Sequence, residues 1–179
     1  QTQIIQQKKT DRRMAKPKSI TDFTELYEHT VSGRPLLSIF LPGHLAVEFL
    51  LRKLVQQYDS NLAALADDMN HARLISLSAA IGTISDQQRE VLVLLNSMRN
   101  KLAHSITFEP TIEELQSLWE KASHAFDDLT DGIAQGLDEL AHATSAEQID
   151  GWVIGELFVQ ITYDLHAEYV EKGGDIDQF

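Results

Sequence analysis

Apolar residues recur every three or four positions along most of this chain, the spacing that places them on one face of an α-helix. In the longest such series the steps average about 3.5 residues, which is typical of left-handed helix packing. This series predicts one long helix after Thr111. Its apolar members are Ile112, Leu115, Trp119, Ala122, Phe126, Leu129, Ile133, Leu137 and Leu140.

Capping boxes mark the starts of three predicted helices. In this motif a Ser or Thr and a Glu or Gln three residues later each bind the other's backbone N–H. The first box predicts a helix that ends at about Leu102 or His104, and the second opens the long helix. The third opens a final helix over about residues 146–171, which Gly173 and Gly174 end. The pairs are Ser85 with Gln88, Thr111 with Glu114, and Ser145 with Gln148.

Shorter periodic segments predict four helices in the N-terminal part of the chain. They cover about residues 21–31, 43–58 (or from Leu36), 61–69 and 71–82. Alternation typical of β-strands does not occur over any useful length, and Gly and Pro are scarce. The sequence therefore predicts an all-α, single-domain antiparallel helical bundle of five to seven helices over residues 19–179.

Composition narrows the class of protein. The chain has 179 residues, 43% of them apolar, enough for the core of one domain. It contains no cysteine, which excludes disulfides, thiolate metal sites and a cysteine nucleophile. The longest apolar run, residues 35–42, is too short to span a membrane, and no apolar signal segment is visible. We therefore expect a cytoplasmic protein with no membrane partner.

Charge is distributed unevenly. Residues 1–18 carry six basic side chains and one acidic side chain. The rest of the chain has nine basic and 26 acidic side chains, a net charge of −17 that repels nucleic acid at long range. The N-terminal segment is therefore either a solvated, flexible arm or an arm that contacts phosphate or a partner.

The most informative cluster is Arg99-Asn100-Lys101-Leu102-Ala103-His104, at the end of the helix that follows Ser85. An Arg binds phosphate through a fork of donors, and a His suits proton transfer near neutral pH. Five residues along a regular helix turn by about 140° around its axis, so Arg99 and His104 do not share a face. They meet only if the helix unwinds near His104 or if a homodimer brings two copies together.

This cluster resembles the Arg-x(4–6)-His signature of the HEPN superfamily (higher eukaryote and prokaryote nucleotide-binding helical bundles). Asn100 matches the polar residue that follows the Arg in that family. Glu48, on an earlier predicted helix, matches its acidic residue. The resemblance covers about residues 36–143 and implies a HEPN-like bundle.

The HEPN resemblance implies a metal-independent endoribonuclease, often a toxin or defence effector held by an antitoxin or another regulatory protein. His104 would be the base that removes the proton of a ribose 2′-hydroxyl. Arg99 would stabilise charge on the phosphate, and Asn100 would add a hydrogen bond or orient His104. Glu48 would orient Arg99, with Lys101 in support. No cofactor is implied, and the substrate would be RNA because the reaction needs the 2′-hydroxyl.

Other interpretations remain open. Residues 81–85 leading into the Arg99–His104 cluster are also similar to mannitol operon repressor-like proteins, which implies a non-catalytic regulator that works through helical protein contacts. A nucleotide-binding sensor that uses the same cleft is a third possibility. In a purely structural role, Arg99 pairs with Glu48 or another carboxylate, and His104 stabilises a helix C-terminus.

The histidines and the tryptophans are two further groups of residues that could form sites. The seven histidines are dispersed and include no metal-binding motif. His44 and Glu48 stand four apart on one helical face and could share a metal, but an ordinary pair is the favoured interpretation. Trp119 and Trp152 are expected to anchor the core.

Overall fold

The structure, a computed structural model, describes residues 19–179, and the basic segment 1–18 lies outside the described residues. The predicted all-α bundle is confirmed, with eight α-helices in the described range and two short 3₁₀ turns at Ser60–Leu62 and Ala146–Gln148. The helices are α1 (Phe23–Val31), α2 (Pro35–Tyr58), α3 (Ala63–Asp67), α4 (His71–Ala80), α5 (Asp86–His104), α6 (Ile112–Ala125), α7 (Gly132–His142) and α8 (Gly151–Glu171).

Five of these helices pack in a closed ring. In chain order α2, α5, α6, α7 and α8 each contact the next, and α8 returns to α2 in the most extensive contact between any two helices described. The short helix α4 packs against both α2 and α5. This arrangement places the end of α5 beside α2 and α4, which determines the surroundings of Arg99.

A single apolar cluster fills the bundle. Phe40 of α2 meets Phe158 of α8 edge-to-face, with ring centroids 5.3 Å apart. Trp119 of α6 is fully buried, as predicted. Trp152 is 43% exposed, so the prediction that it anchors the core is wrong. Trp152 is the second residue of α8, and its neighbours Val153 and Ile154 take the buried positions instead.

Two of the three predicted capping boxes are present with both reciprocal hydrogen bonds, at the starts of α5 and α6. The third prediction is wrong. Gln148 accepts hydrogen bonds from the backbone and hydroxyl of Thr144, and Ser145 makes no cap bond. The final helix begins at Gly151 instead, because the carboxylate of Asp150 accepts from the backbone N–H of Trp152.

The predicted long helix after Thr111 is interrupted, which is one reason the chain forms eight helices rather than five to seven. The apolar period continues across the break, but Asp131 adopts a left-handed conformation with φ 58°. Asp128 then accepts hydrogen bonds from the backbone of Ile133 and Ala134 and so starts α7. A local carboxylate cap therefore overrides a continuous hydrophobic pattern.

The helix α2 is longer than the apolar run visible in the sequence. It has 24 residues and a mean hydropathy of 1.3 in its most apolar window, long and apolar enough to cross a membrane by length and composition alone. Core helices of soluble proteins meet the same criterion. This α2 packs against α4, α5 and α8, and it carries the polar residues Glu48 and Arg52.

Asp164 of α8 lies against the break between α6 and α7. Its Oδ2 accepts a 2.6 Å hydrogen bond from the backbone N–H of Asp127, while its Oδ1 is buried without a partner. Burial raises the pKa of Asp164 to about 6, and the charges of Asp127 and Asp128 add to this, although the hydrogen bond from Asp127 opposes it. The folded protein thus disfavours the ionised carboxylate.

We expect Asp164→Asn to stabilise the protein at neutral pH and not in acid. A folded-state pKa above the ordinary 3.8 means that stability from the protonated group is present below about pH 4 and is lost as pH rises through about 6. Above pH 6 the free energy of unfolding should rise by about 1 kcal/mol. This is less than the whole pKa shift would contribute, because water still reaches the carboxyl group. Urea unfolding at about pH 4 and pH 8 measures it. An equal effect at both pH values would contradict the raised pKa.

Candidate functional site

The helix α5 ends at His104, the last residue with helical backbone. Ser105 has extended backbone, and its N–H still binds the carbonyl of Lys101, so the helix stays regular to its end. Arg99 and His104 therefore leave the helix about 140° apart. The unwinding that would let them meet within one chain does not occur, and only the two-subunit arrangement can unite them.

Arg34, which sequence reasoning missed, holds the end of α5 in place. Its guanidinium donates to the carbonyl of Leu102 and, at 3.2 Å, to the carbonyl of Phe108. A cation at a helix C-terminus is favoured by the helix dipole and satisfies carbonyls that lack helical partners. The segment that contains His104 is thereby anchored at both sides, while His104 itself is exposed.

The other residues of the predicted cluster have defined partners. Arg99 is half-buried, and its Nη1 donates a 2.9 Å hydrogen bond to Oδ1 of Asn100. Its Nε is buried without a partner. Lys101 lies over the ring of Phe108, 5.2 Å from the centroid. Asn100 is therefore placed to orient Arg99 rather than His104.

Arg99 lies close enough to His44 and His71 for its charge to lower the pKa of both. Their imidazole rings meet between α2 and α4, tilted by 32° with centroids 3.8 Å apart, and only 3% and 6% of these two residues are exposed. Nε2 of His44 lies 3.2 Å from Oδ1 of Asn96, one helical turn before Arg99. The two histidines, distant in sequence, are brought together by the packing of α4 on α2.

Glu48 lies in the same cluster, but it contacts Arg52 and His71 rather than Arg99, the partner expected from the sequence. Its Oε1 accepts a 2.6 Å hydrogen bond from Arg52, and its Oε2 lies 3.3 Å from Nδ1 of His71. Arg52 is itself fixed by the carbonyls of Ala66 and Met69. The geometry gives Glu48 the role of a partner to Arg52 and His71, not that of the residue that orients Arg99.

The electrostatics keep both buried histidines neutral near pH 7. Burial, together with the charges of His44 and Arg99, lowers the pKa of His71 to about 4 against the opposing effect of Glu48. Burial also lowers the pKa of His44, although its hydrogen bond with Asn96 opposes the change. Burial alone would raise the pKa of Glu48, but the hydrogen bond and charge of Arg52 outweigh it and lower that pKa.

Three cavities in the described part of the chain lie away from Arg99 and His104. One of about 520 Å³ is lined by several carboxylates, among them Glu25, Glu113 and Glu147, which disfavours an anionic ligand. Another, of about 270 Å³, lies under Arg34 and Leu102. The third, of about 370 Å³, is mainly apolar. None of these three cavities is lined by Arg99 or His104.

No protein-family model, curated protein or solved structure matches this chain. The functional argument therefore depends on the geometry of the side chains described above.

Proposed function

We propose that this protein is an endoribonuclease of HEPN type that cuts RNA without a metal ion and acts as a homodimer. His104 of one subunit removes the proton of the ribose 2′-hydroxyl, whose oxygen then attacks the adjacent phosphorus. The P–O5′ bond breaks, which leaves a 2′,3′-cyclic phosphate on one product and a 5′-hydroxyl on the other. Arg99 of the other subunit stabilises the charge on the phosphate oxygens. A toxin or defence effector held by a protein partner is the matching biological role.

One observation carries the proposal: an exposed imidazole ends a regular, anchored helix about 1.4 turns beyond a guanidinium oriented by its neighbour. Asn100 fixes one donor of Arg99, which reduces the entropy lost when the guanidinium engages a phosphate. Arg34 fixes the backbone that carries His104. Both contacts support the proposed roles, which require Arg99 and His104 to come from different chains.

The proposed mechanism requires a homodimer. An isologous contact about a two-fold axis places the same surface of each subunit against its partner, so the Arg99 face of one chain can approach the His104 of the other. Each dimer then contains two equivalent composite sites. Since the described residues are strongly acidic, few cations would contact the RNA, and its binding should weaken as salt is added.

Incubation of the purified protein with a single-stranded RNA tests the proposal. Products that end in a 2′,3′-cyclic phosphate, at a rate unchanged by a chelator, are expected. A matched oligonucleotide with deoxyribose at the cleaved position should resist cleavage, because it lacks the attacking hydroxyl. Intact RNA at every protein concentration, or cleavage that a chelator abolishes, would overturn the assignment.

A non-catalytic regulator is the second candidate function, and the exposed apolar side of α1 favours it. Phe23, Tyr27 and Val31 lie four residues apart on this helix, and each is more than half exposed. Large exposed apolar patches mark surfaces that bind other proteins. Under this interpretation the pure protein leaves RNA intact, and Tyr27→Asp abolishes the binding of its protein partner without changing the fold.

A further inference from the structure

We infer that His44, Glu48 and His71 form a binding site for one divalent cation of the Zn²⁺ class, which ties α2 to α4. One ligand atom from each residue lies within 4.8 Å of the other two. Two imidazoles with one carboxylate are a donor set that Zn²⁺ accepts, with a fourth position left for a small ligand. This inference concerns binding alone and does not depend on whether the protein cleaves RNA.

The first argument is that two buried ring nitrogens have no hydrogen-bond partner. Nδ1 of His44 and Nδ1 of His71 are both shielded from solvent and unsatisfied, in residues more than nine-tenths buried. Nδ1 of His71 lies 3.3 Å from Oε2 of Glu48, within ion-pair distance but outside the geometry of a hydrogen bond. Buried polar atoms are normally paired, so two orphaned nitrogens beside a carboxylate require an explanation. A bound cation satisfies both.

The second argument is the distance between the atoms that would bind the cation. Two ligands of one tetrahedral Zn²⁺, each at about 2.0–2.1 Å from the metal, lie about 3.3 Å apart. The Oε2 of Glu48 and the Nδ1 of His71 are 3.3 Å apart. The tilted rings of His44 and His71, with centroids 3.8 Å apart, lie closer than two imidazole ligands of one tetrahedral cation, so binding has to move the rings apart.

The residues around the ligands determine which of their atoms remain available to a metal. The carbonyl oxygen of Asn96 lies 3.2 Å from Nε2 of His44, so the ring proton belongs on Nε2 and the lone pair of Nδ1 faces the cluster. Arg52 occupies Oε1 of Glu48, which leaves Oε2 as a single carboxylate ligand.

Calorimetric titration of the untagged protein with ZnCl₂ tests the inference. We expect one Zn²⁺ per chain and a higher melting temperature at saturation. His71→Ala and Glu48→Gln should each weaken binding by about 100-fold, and Asn96→Ala by about tenfold, because ligand and supporting residues both contribute. His142→Ala removes an exposed histidine outside the cluster and should bind like the wild type.

A second measurement works even if a variant fails to fold. In the wild type, NMR of the ring nitrogens should show that Zn²⁺ shifts Nδ1 of His44 and His71 and leaves the other histidines unchanged. Co²⁺ should give the strong visible absorption of a four-coordinate site. The inference is overturned if the wild type does not bind Zn²⁺, if the shifts fall on surface histidines, or if folded His71→Ala binds normally.

Discussion

Replacement of His104 by alanine should lower the rate of RNA cleavage by about 10²- to 10⁴-fold, the usual contribution of a positioned general base. Arg99→Ala should cost about 10²- to 10³-fold, because it removes charge stabilisation at the reacting phosphate. His104 is exposed and ends its helix, so its loss should leave the melting temperature nearly unchanged. Single-turnover cleavage of a labelled RNA measures both effects.

His142→Ala is the matched control for His104→Ala. His142 also ends a helix, α7, and is also exposed, so a general effect of removing a terminal histidine would appear in both variants. The control should cleave RNA at the wild-type rate. Full activity in folded His104→Ala would exclude His104 as the base.

Mixing the two inactive variants tests the composite site. A mixed dimer of Arg99→Ala and His104→Ala has one site with both substitutions and one site with neither. Random exchange at equal concentrations should therefore restore about a quarter of the wild-type rate. A mixture that stays inactive after subunit exchange would contradict a site built from Arg99 of one chain and His104 of the other.

Gly136→Ala should destabilise the protein by about 2–3 kcal/mol, because it overpacks the core. A Cβ at this position of α7 would lie 2.2 Å from Nε1 of Trp119. Trp119 is fully buried in α6 and cannot move aside without shifting its neighbours. The melting temperature should fall by roughly 4–12 °C, and thermal unfolding followed by circular dichroism measures it.

Gly155→Ala is the same substitution as Gly136→Ala but should have the opposite effect on stability. Gly155 lies within α8, and a Cβ there would meet nothing within 4 Å. Alanine should therefore stabilise the helix by about 0.5–1 kcal/mol through the entropy of the unfolded chain. If both variants shifted stability in the same direction, close packing of α7 on Trp119 would not explain the effect at Gly136.

Local signals in the sequence predicted the helices well where the capping side chains use the expected partners. Ser85 and Gln88 begin α5, and its end at His104 was also predicted. The pattern failed at Asp128 and Asp150, whose carboxylates start α7 and α8. A lone aspartate has no spacing signature, and such residues are common in turns as well as at helix starts.

The candidate site could be predicted only in part, for a physical reason. The exposed end of α5 follows from local sequence, because a helix and its cap depend on neighbouring residues. The cluster of His44, Glu48 and His71 depends on how α4 packs against α2, which is a long-range contact. Within this cluster, only the spacing of His44 and Glu48, one helical turn apart, indicated in the sequence that the two could share a metal. Arg34 is 68 residues from Leu102, and nothing local connects them.

The closure of the helical ring by α2 and α8 has a consequence for synthesis on the ribosome. The side of α2 that α8 covers stays open to water until the last of the five ring helices has emerged, since these two helices are far apart in the chain. This side of α2 is therefore exposed while the residues between α2 and α8 are synthesised, when aggregation competes with folding. Chains that stall before α8 should consequently be bound by chaperones or degraded, whereas chains that contain α8 can bury this side of α2.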